Sequence, residues 1–269
     1  MAKPPLPPPP DVPGKSPLLG IGLTLAEPAE LTRVVRDLIS DRRRSSTVCS
    51  INVHTFTEAL RVPRYREAIQ GATLTFVDGV PIRWILRAAG VSRPPARIHG
   101  ADFMAMLLSE LAGARHLFFG STPGTLDLLR ARLGEMFPQL RIAGMISPPF
   151  RPQAIREDDE TIERLNAANA DILWVGLGAP KQEMWLHLNA GCLRIPLCVG
   201  VGAAFDILAG RFTRAPRPVQ KVGLEWAWRL AQDPGRLWRR YFSTNGYFLS
   251  LLLQVAARRL LGRAPSLLP

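Results

Sequence analysis

From Leu18 onward the chain alternates short apolar runs with amphipathic stretches, and this alternation limits the fold more than any other feature. Runs over 47–52, 74–77, 116–120, 141–144, 171–176 and 196–201 read as strands. Helices are expected over 55–70 (carried through Pro63), 80–89, 100–111, 125–136 and around 158–166. Strands that alternate with helices predict an α/β fold: a Rossmann-like, mainly parallel sheet with helices on both faces. The predicted core spans 18–217. A proline-rich leader over 1–17, expected to be disordered, precedes it, and a basic, aromatic, helical appendage over 218–269 follows. Ligands of such sheets bind beyond the carboxyl ends of the strands, so strand-terminal residues carry the search for function.

A chain of 269 residues can bury a substantial core, and 47% hydrophobic against 21% charged residues excludes the disordered and fibrous classes. Three cysteines, Cys49, Cys192 and Cys198, make no disulfide framework and suit a reducing cytosol. No apolar run approaches the roughly 20 residues that span a bilayer, and the N-terminal segment lacks a signal peptide's apolar stretch. A cytosol-facing body is expected.

The net charge is +12, and eleven Lys and Arg against two acids fall between Arg211 and Arg263. A nearly neutral body therefore carries a cationic segment. In it Trp226, Trp228, Trp238, Tyr241, Phe242, Tyr247 and Phe248 interleave with Arg229, Arg236, Arg239 and Arg240. Rings at headgroup level and cations against anionic lipid suit an interfacial anchor. The same composition fits a core helix with a solvated basic face. It also fits contact with nucleic-acid phosphates, although no helix-turn-helix, zinc-finger or RNP-type signature accompanies it.

Asp78 follows Phe76-Val77 and precedes Gly79, which puts a carboxylate on a tight turn at a strand's carboxyl end. Asp-Gly is also a common turn or cap. Ser50 and Asn52 stand two apart on one strand, so both face one side and suit either a polyhydroxylated ligand or a buried polar network. His54 has no second His, Cys or acid at ligand spacing, which argues against zinc. The turn from Gly120 to Gly124, followed by Thr125, has the form of a phosphate cradle at a helix N-terminus but lacks the Lys-Ser/Thr of a Walker A loop. Gly200-Val-Gly202-Ala-Ala-Phe205-Asp206 opens like a dinucleotide fingerprint with Phe205 in place of the third small residue. A nicotinamide-dependent oxidoreductase therefore stays open as an alternative. In Gly176-Leu-Gly178-Ala-Pro180-Lys181-Gln182-Glu183 the proline sets a helix start and Glu183 complements its dipole, leaving Lys181 and Gln182 to reach a ligand.

Taken in series, Ser50-Ile-Asn52, Phe76-Val-Asp78-Gly79-Val-Pro81 and Arg97-Ile-His-Gly100-Ala-Asp102 resemble the WecG/TagA/CpsF glycosyltransferases. The resemblance continues through the strings at Gly176 and Gly200, Gly210-Arg-Phe-Thr-Arg214-Ala215-Pro216, and Gly223-Leu-Glu225-Trp226 with Arg229. It covers about 48–241 in the family's order and spacing. It implies transfer of a sugar from a UDP-activated donor, often UDP-N-acetylmannosamine, to a polyprenyl-diphosphate-linked saccharide. Transfer would occur with inversion, at the cytoplasmic face of the membrane, in surface polysaccharide synthesis.

The resemblance assigns Asp78 as the general base, and an inverting displacement does need one base opposite the leaving diphosphate. It puts Ser50, Asn52, Arg97 and Gln182 in the sugar and acceptor pocket and Asp206 at the nucleoside. Arg229, Arg236 and Arg239 match the arginines of a C-terminal appendage that folds over the site at the membrane. The chain has no Asp-x-Asp pair for a nucleotide-bound metal, so no metal or other cofactor is expected and arginine takes that place. The family commonly carries Thr where this chain has Ser50, and Asn-Pro-Glu or Asn-Ala-Glu where it has Asn52-Val53-His54. The donor or acceptor can therefore differ from the mannosaminyl branch, glucosyl transfer included. The partners implied are a UDP-sugar, a lipid-diphosphate-linked saccharide and an anionic membrane surface, with no nucleic acid and a homo-oligomer left open. The catalytic half is expected to stay folded without the chain from about Gly223.

Overall fold

The computed structural model describes residues 12–261; most of the expected leader and the last eight residues of the appendage lie outside them. The described chain opens with a hairpin, β1 (Lys15–Leu18) and β2 (Ile21–Thr24), which begins inside the segment assigned to the leader. Burial of Leu18, Ile21 and Leu23 draws it onto the core. It is pinned where Thr24 N–H donates to Thr75 Oγ1 (2.9 Å) and Thr75 N–H donates to Thr24 Oγ1 (3.1 Å).

Then come α1 (Pro28–Ser40), β3 (Ser46–Ile51), α2 (Val53–Arg61), α3 (Pro63–Gly71), β4 (Leu74–Val77), α4 (Val80–Ala88) and α5 (Gly100–Glu110). The helix expected over 55–70 is two helices. Pro63 disfavours helical geometry at the residue before it, and Val62 is accordingly extended, with φ −118° and ψ 103°. Pro63 then starts α3, where its missing N–H leaves no bond unmade. The chain continues with β5 (Arg115–Gly120), α6 (Pro123–Met136), β6 (Arg141–Ile146), α7 (Asp159–Ala167), β7 (Ile172–Gly176), α8 (Lys181–Asn189), β8 (Leu197–Gly200) and α9 (Ala204–Leu208). It ends in α10 (Arg217–Lys221), α11 (Glu225–Gln232) and α12 (Pro234–Leu260).

Six strands form one sheet in the order β4-β3-β8-β7-β5-β6, and every neighbouring pair is parallel. Period-2 geometry divides the strand residues between two buried layers. On one face Cys49, Ile51, Leu117, Phe119, Leu173, Val175 and Cys198 pack with residues of α2, α3, α4 and α8. On the other, Val48, Phe76, Phe118, Trp174 and Val199 pack with α1, α5, α6 and α9. Because both faces are covered, the strands read as continuous apolar runs.

The last helix, α12, is part of the first layer. Phe248, Leu251 and Val255 of α12 are buried in it, and the Phe248 ring meets Phe56 of α2 edge-on at 6.4 Å. Trp238, Phe242, Leu249, Leu253 and Leu260 are exposed on the same helix, Phe242 by 84%. At 3.6 residues per turn these five fall within about 60° of one another, well away from the buried stripe. Among the described residues no helix is long and apolar enough to cross a membrane. A chain ending before α12 would leave part of the sheet's packing layer uncovered, which bears on the expectation that the catalytic half stays folded without the chain from about Gly223.

Candidate active site

The strands share one direction, so their carboxyl ends and the turns that follow line a single cleft of about 620 Å³. Ser50 at the end of β3 is buried and faces into it; Asp78 stands directly after β4, where its N–H is held by Ile51 O at 2.9 Å. Asn52 is the N-cap of α2, its Oδ1 accepting from the N–H of His54 (3.0 Å) and Thr55 (3.1 Å). The Asn52 side chain also lies beside Asp78, where it favours the charged carboxylate. His99, which lies inside the Arg97-to-Asp102 string without a role of its own there, caps α5 through Nδ1, which accepts from Ala101 N–H at 3.2 Å, and it lines the cleft beside Asp78. The signal was present in the sequence, as a polar residue directly before a helix start.

The other half of the cleft rests on two glycines. Gly120 has φ +125°, and a Cβ there would lie 2.6 Å from the carbonyl of Gly176 on the neighbouring strand. That approach lets the turns after β5 and β7 converge at the floor. Thr122 caps α6, and Ser121, Thr122 and Pro123 line the wall, so the expected cradle opens onto the cleft. Arg211, missed as a single residue in the sequence, reaches Thr125 Oγ1 at that helix start and lines the cleft.

Gln182 lines the wall but is not left to reach a ligand. It is 1% exposed, its Oε1 accepts from Gly202 N–H (2.9 Å), and its Nε2 donates to Glu183 Oε1 (2.7 Å). It braces the turn after β8 against α8. Lys181 is likewise engaged, donating to Arg151 O at 2.8 Å with its ammonium over the Phe150 ring. Asp206, on α9, lines the cleft.

Arg97 does not line it. Its guanidinium pairs with Glu225 and donates to Gln220 Oε1 at 3.1 Å. Arg214 joins the same cluster, pairing with Asp102 and with Glu225. A charged residue placed by motif in the pocket instead ties the C-terminal helices to the core. Of the three appendage arginines, Arg229 lines the cleft, whereas Arg239 is exposed on α12 with its guanidinium over the Trp238 ring. The side chain of Arg236 lies outside what the structure describes.

A smaller chamber of about 120 Å³ opens on the far side of Asp78. Asn52, Asp78, His99 and Arg229 line both spaces, so the Asp78 carboxylate stands in the wall between them. Its pKa is raised above the ordinary aspartate value, chiefly by removal from water; Glu225 pushes the same way, while His99, Asn52 and Arg97 oppose. A carboxylate made more basic and left facing a cavity is suited to accept a proton. Among the described residues no three His, Cys, Asp or Glu gather where a metal ion could sit.

A fully parallel sheet with a polar cleft across its carboxyl ends and a desolvated carboxylate at that cleft's inner wall is the form of an α/β enzyme. The chain belongs to the glycosyl transferase WecG/TagA/CpsF family, whose pattern matches residues 16–261. It is similar to a Bacillus spizizenii protein, N-acetylglucosaminyldiphosphoundecaprenol N-acetyl-beta-D-mannosaminyltransferase. The two are 28% identical over 230 residues, 83% of this chain and 86% of the relative.

Proposed function

We propose that this glycosyltransferase moves a hexose or N-acetylhexosamine from a UDP-sugar to a polyprenyl-diphosphate-linked saccharide, with inversion at the anomeric carbon. The observation that carries the reading is the position of Asp78, a base of raised pKa in the wall between a large cleft and a small chamber. The large cleft suits the nucleotide, since a helix N-terminus and Arg211 offer positive charge to a diphosphate. An acceptor hydroxyl on the other side gives its proton to the Asp78 carboxylate as its oxygen bonds to the anomeric carbon. The bond from that carbon to the diphosphate oxygen breaks on the opposite face, and UDP leaves with the electron pair. Ser50 and Asp206 line the donor's side, in keeping with contacts to sugar and nucleoside.

Arg229 takes up the charge of the departing diphosphate, since guanidinium groups bind phosphate oxygens bidentately where charge develops. Arg236 and Arg239 follow on the next helix, and no metal is called for in this scheme. The exposed stripe of α12, with Arg239 beside it, is the face we assign to the inner surface of the cytoplasmic membrane, where the enzyme would sit peripherally. The Bacillus spizizenii relative favours N-acetylmannosamine as the sugar, and His54 in place of an acid leaves glucose as the other candidate. Incubating the protein with a panel of UDP-sugars and a short-chain lipid-diphosphate acceptor, read by mass spectrometry, tests the reading. One UDP-sugar is expected to add a single residue; no addition from any of them would overturn it.

A further inference from the structure

Besides Asn52, Asp78, His99 and Arg229, which it shares with the large cleft, the small chamber is lined by residues that catalysis as described does not use. Trp226 of α11 and Tyr241 of α12 stand edge to face there, with ring centroids 5.9 Å apart and planes at 63°. Both rings face the chamber rather than the core, and Trp226 remains 37% exposed. Asn245, one turn further along α12, also lines the chamber; its Nδ2 is out of contact with water and has no hydrogen-bond partner among the described residues. A buried amide donor without a partner is costly, and a turn of the Asn245 side chain toward the chamber would let a ligand oxygen satisfy it. His54 faces the same space from the start of α2. An aromatic surface beside polar side chains is complementary to a pyranose, which presents an apolar C–H face and a rim of hydroxyls.

We propose that this chamber is the acceptor-sugar subsite, and that Trp226, Tyr241 and Asn245 determine which sugar presents its hydroxyl to Asp78. The inference rests on the glycosyl-transfer reading above and deepens it. The nucleophile must approach from the side of the base opposite the leaving group, and the chamber is the cavity on that side of Asp78. Its other end is formed by the helix that carries the exposed apolar stripe, so a prenyl chain leaving the subsite would run out along α12. The C-terminal helices would then supply acceptor recognition as well as charge.

The test uses the full-length protein, the preferred UDP-sugar, and N-acetylglucosamine linked through diphosphate to a short prenyl chain that needs no membrane. Trp226→Ala and Asn245→Ala are expected to raise the acceptor KM at least tenfold while the UDP-sugar KM stays within about twofold. Tyr241→Phe, which keeps the ring, is expected to shift the acceptor KM less than Tyr241→Ala. An acceptor KM within twofold of wild type in both Trp226→Ala and Asn245→Ala, or a rise confined to the donor KM, would overturn the subsite. Should Trp226→Ala not fold, Asn245→Ala decides alone, because it leaves the ring pair in place. Absence of transfer by the wild-type protein with every UDP-sugar is a different result and would overturn the underlying reading as well.

Discussion

Asn52 stands beside Asp78, and a helix cap fixes which end of the Asn52 amide can face the carboxylate. The Asn52 oxygen is occupied by the N–H groups of His54 and Thr55, so the amide can turn only its NH2 end to the carboxylate. A donor held there favours the charged form of Asp78 against the burial that raises its pKa. The residue that caps α2 therefore also opposes the burial that raises the Asp78 pKa.

Replacing Asn52 by Ser keeps a good N-cap, and stability should change by no more than about 1 kcal/mol. The amide donor is lost, so the Asp78 pKa rises further. The acid limb of the kcat/KM profile should move to higher pH relative to wild type. A profile that superimposes on the wild type would show that the Asn52 amide does not tune Asp78.

Asp78→Asn should lower transfer by about 10²–10⁴ while leaving UDP affinity nearly intact. It should also stabilise the fold at neutral pH. The native pKa of Asp78 lies above the unfolded value, so the native state holds its proton more tightly through the interval between the two. Stability falls as pH rises through that interval and stays lower above it. Asparagine carries no such penalty, so its melting temperature should exceed the wild type's at pH 7 and converge with it below the ordinary aspartate value. A lower melting temperature at pH 7 would contradict the desolvation argument.

Arg229 lines the cleft, whereas Arg239 lies on Trp238 at the surface, and the two should separate kinetically. With a soluble short-chain acceptor, Arg229→Ala should lower kcat by about 10²–10³. Arg239→Ala should lower it less than about tenfold, with its larger effect on vesicle-bound acceptor. Equal losses in the soluble assay would move Arg239 into the reacting centre.

Phe248→Ala should destabilise the chain by about 3–5 kcal/mol in urea unfolding, because it empties a buried position against Phe56. A chain ending at residue 222 should lose cooperative unfolding or aggregate. A loss below about 1 kcal/mol for Phe248→Ala would mean that α12 is an adornment of the core rather than a part of it.

The six sheet strands were legible within a residue or two at most ends because each is a short apolar run closed by a turn residue, and that pattern is local. Asp78 and Ser50 were legible for the same reason: a strand end is a sequence feature, and all strand ends of a parallel sheet meet. The break at Pro63 was legible in principle from the restriction proline imposes on Val62, but the apolar period continued across it and concealed the join. The role of Gln182 was not legible, because its partner Gly202 lies on a different turn, and only the packing of α8 against β8 brings them to 2.9 Å.

The order of apolar and polar residues by itself determined a parallel α/β sheet, the edge on which chemistry would occur, and a basic aromatic C-terminal segment. Tertiary structure alone decided that Arg97 pairs with Glu225, 128 positions away, instead of entering the cleft. It alone decided that α12 divides its apolar residues between the core and the surface, and that Asp78 lines two cavities. Periodicity is set by neighbours along the chain, whereas ion pairing and desolvation depend on distance and water access in space, which no short window of sequence contains.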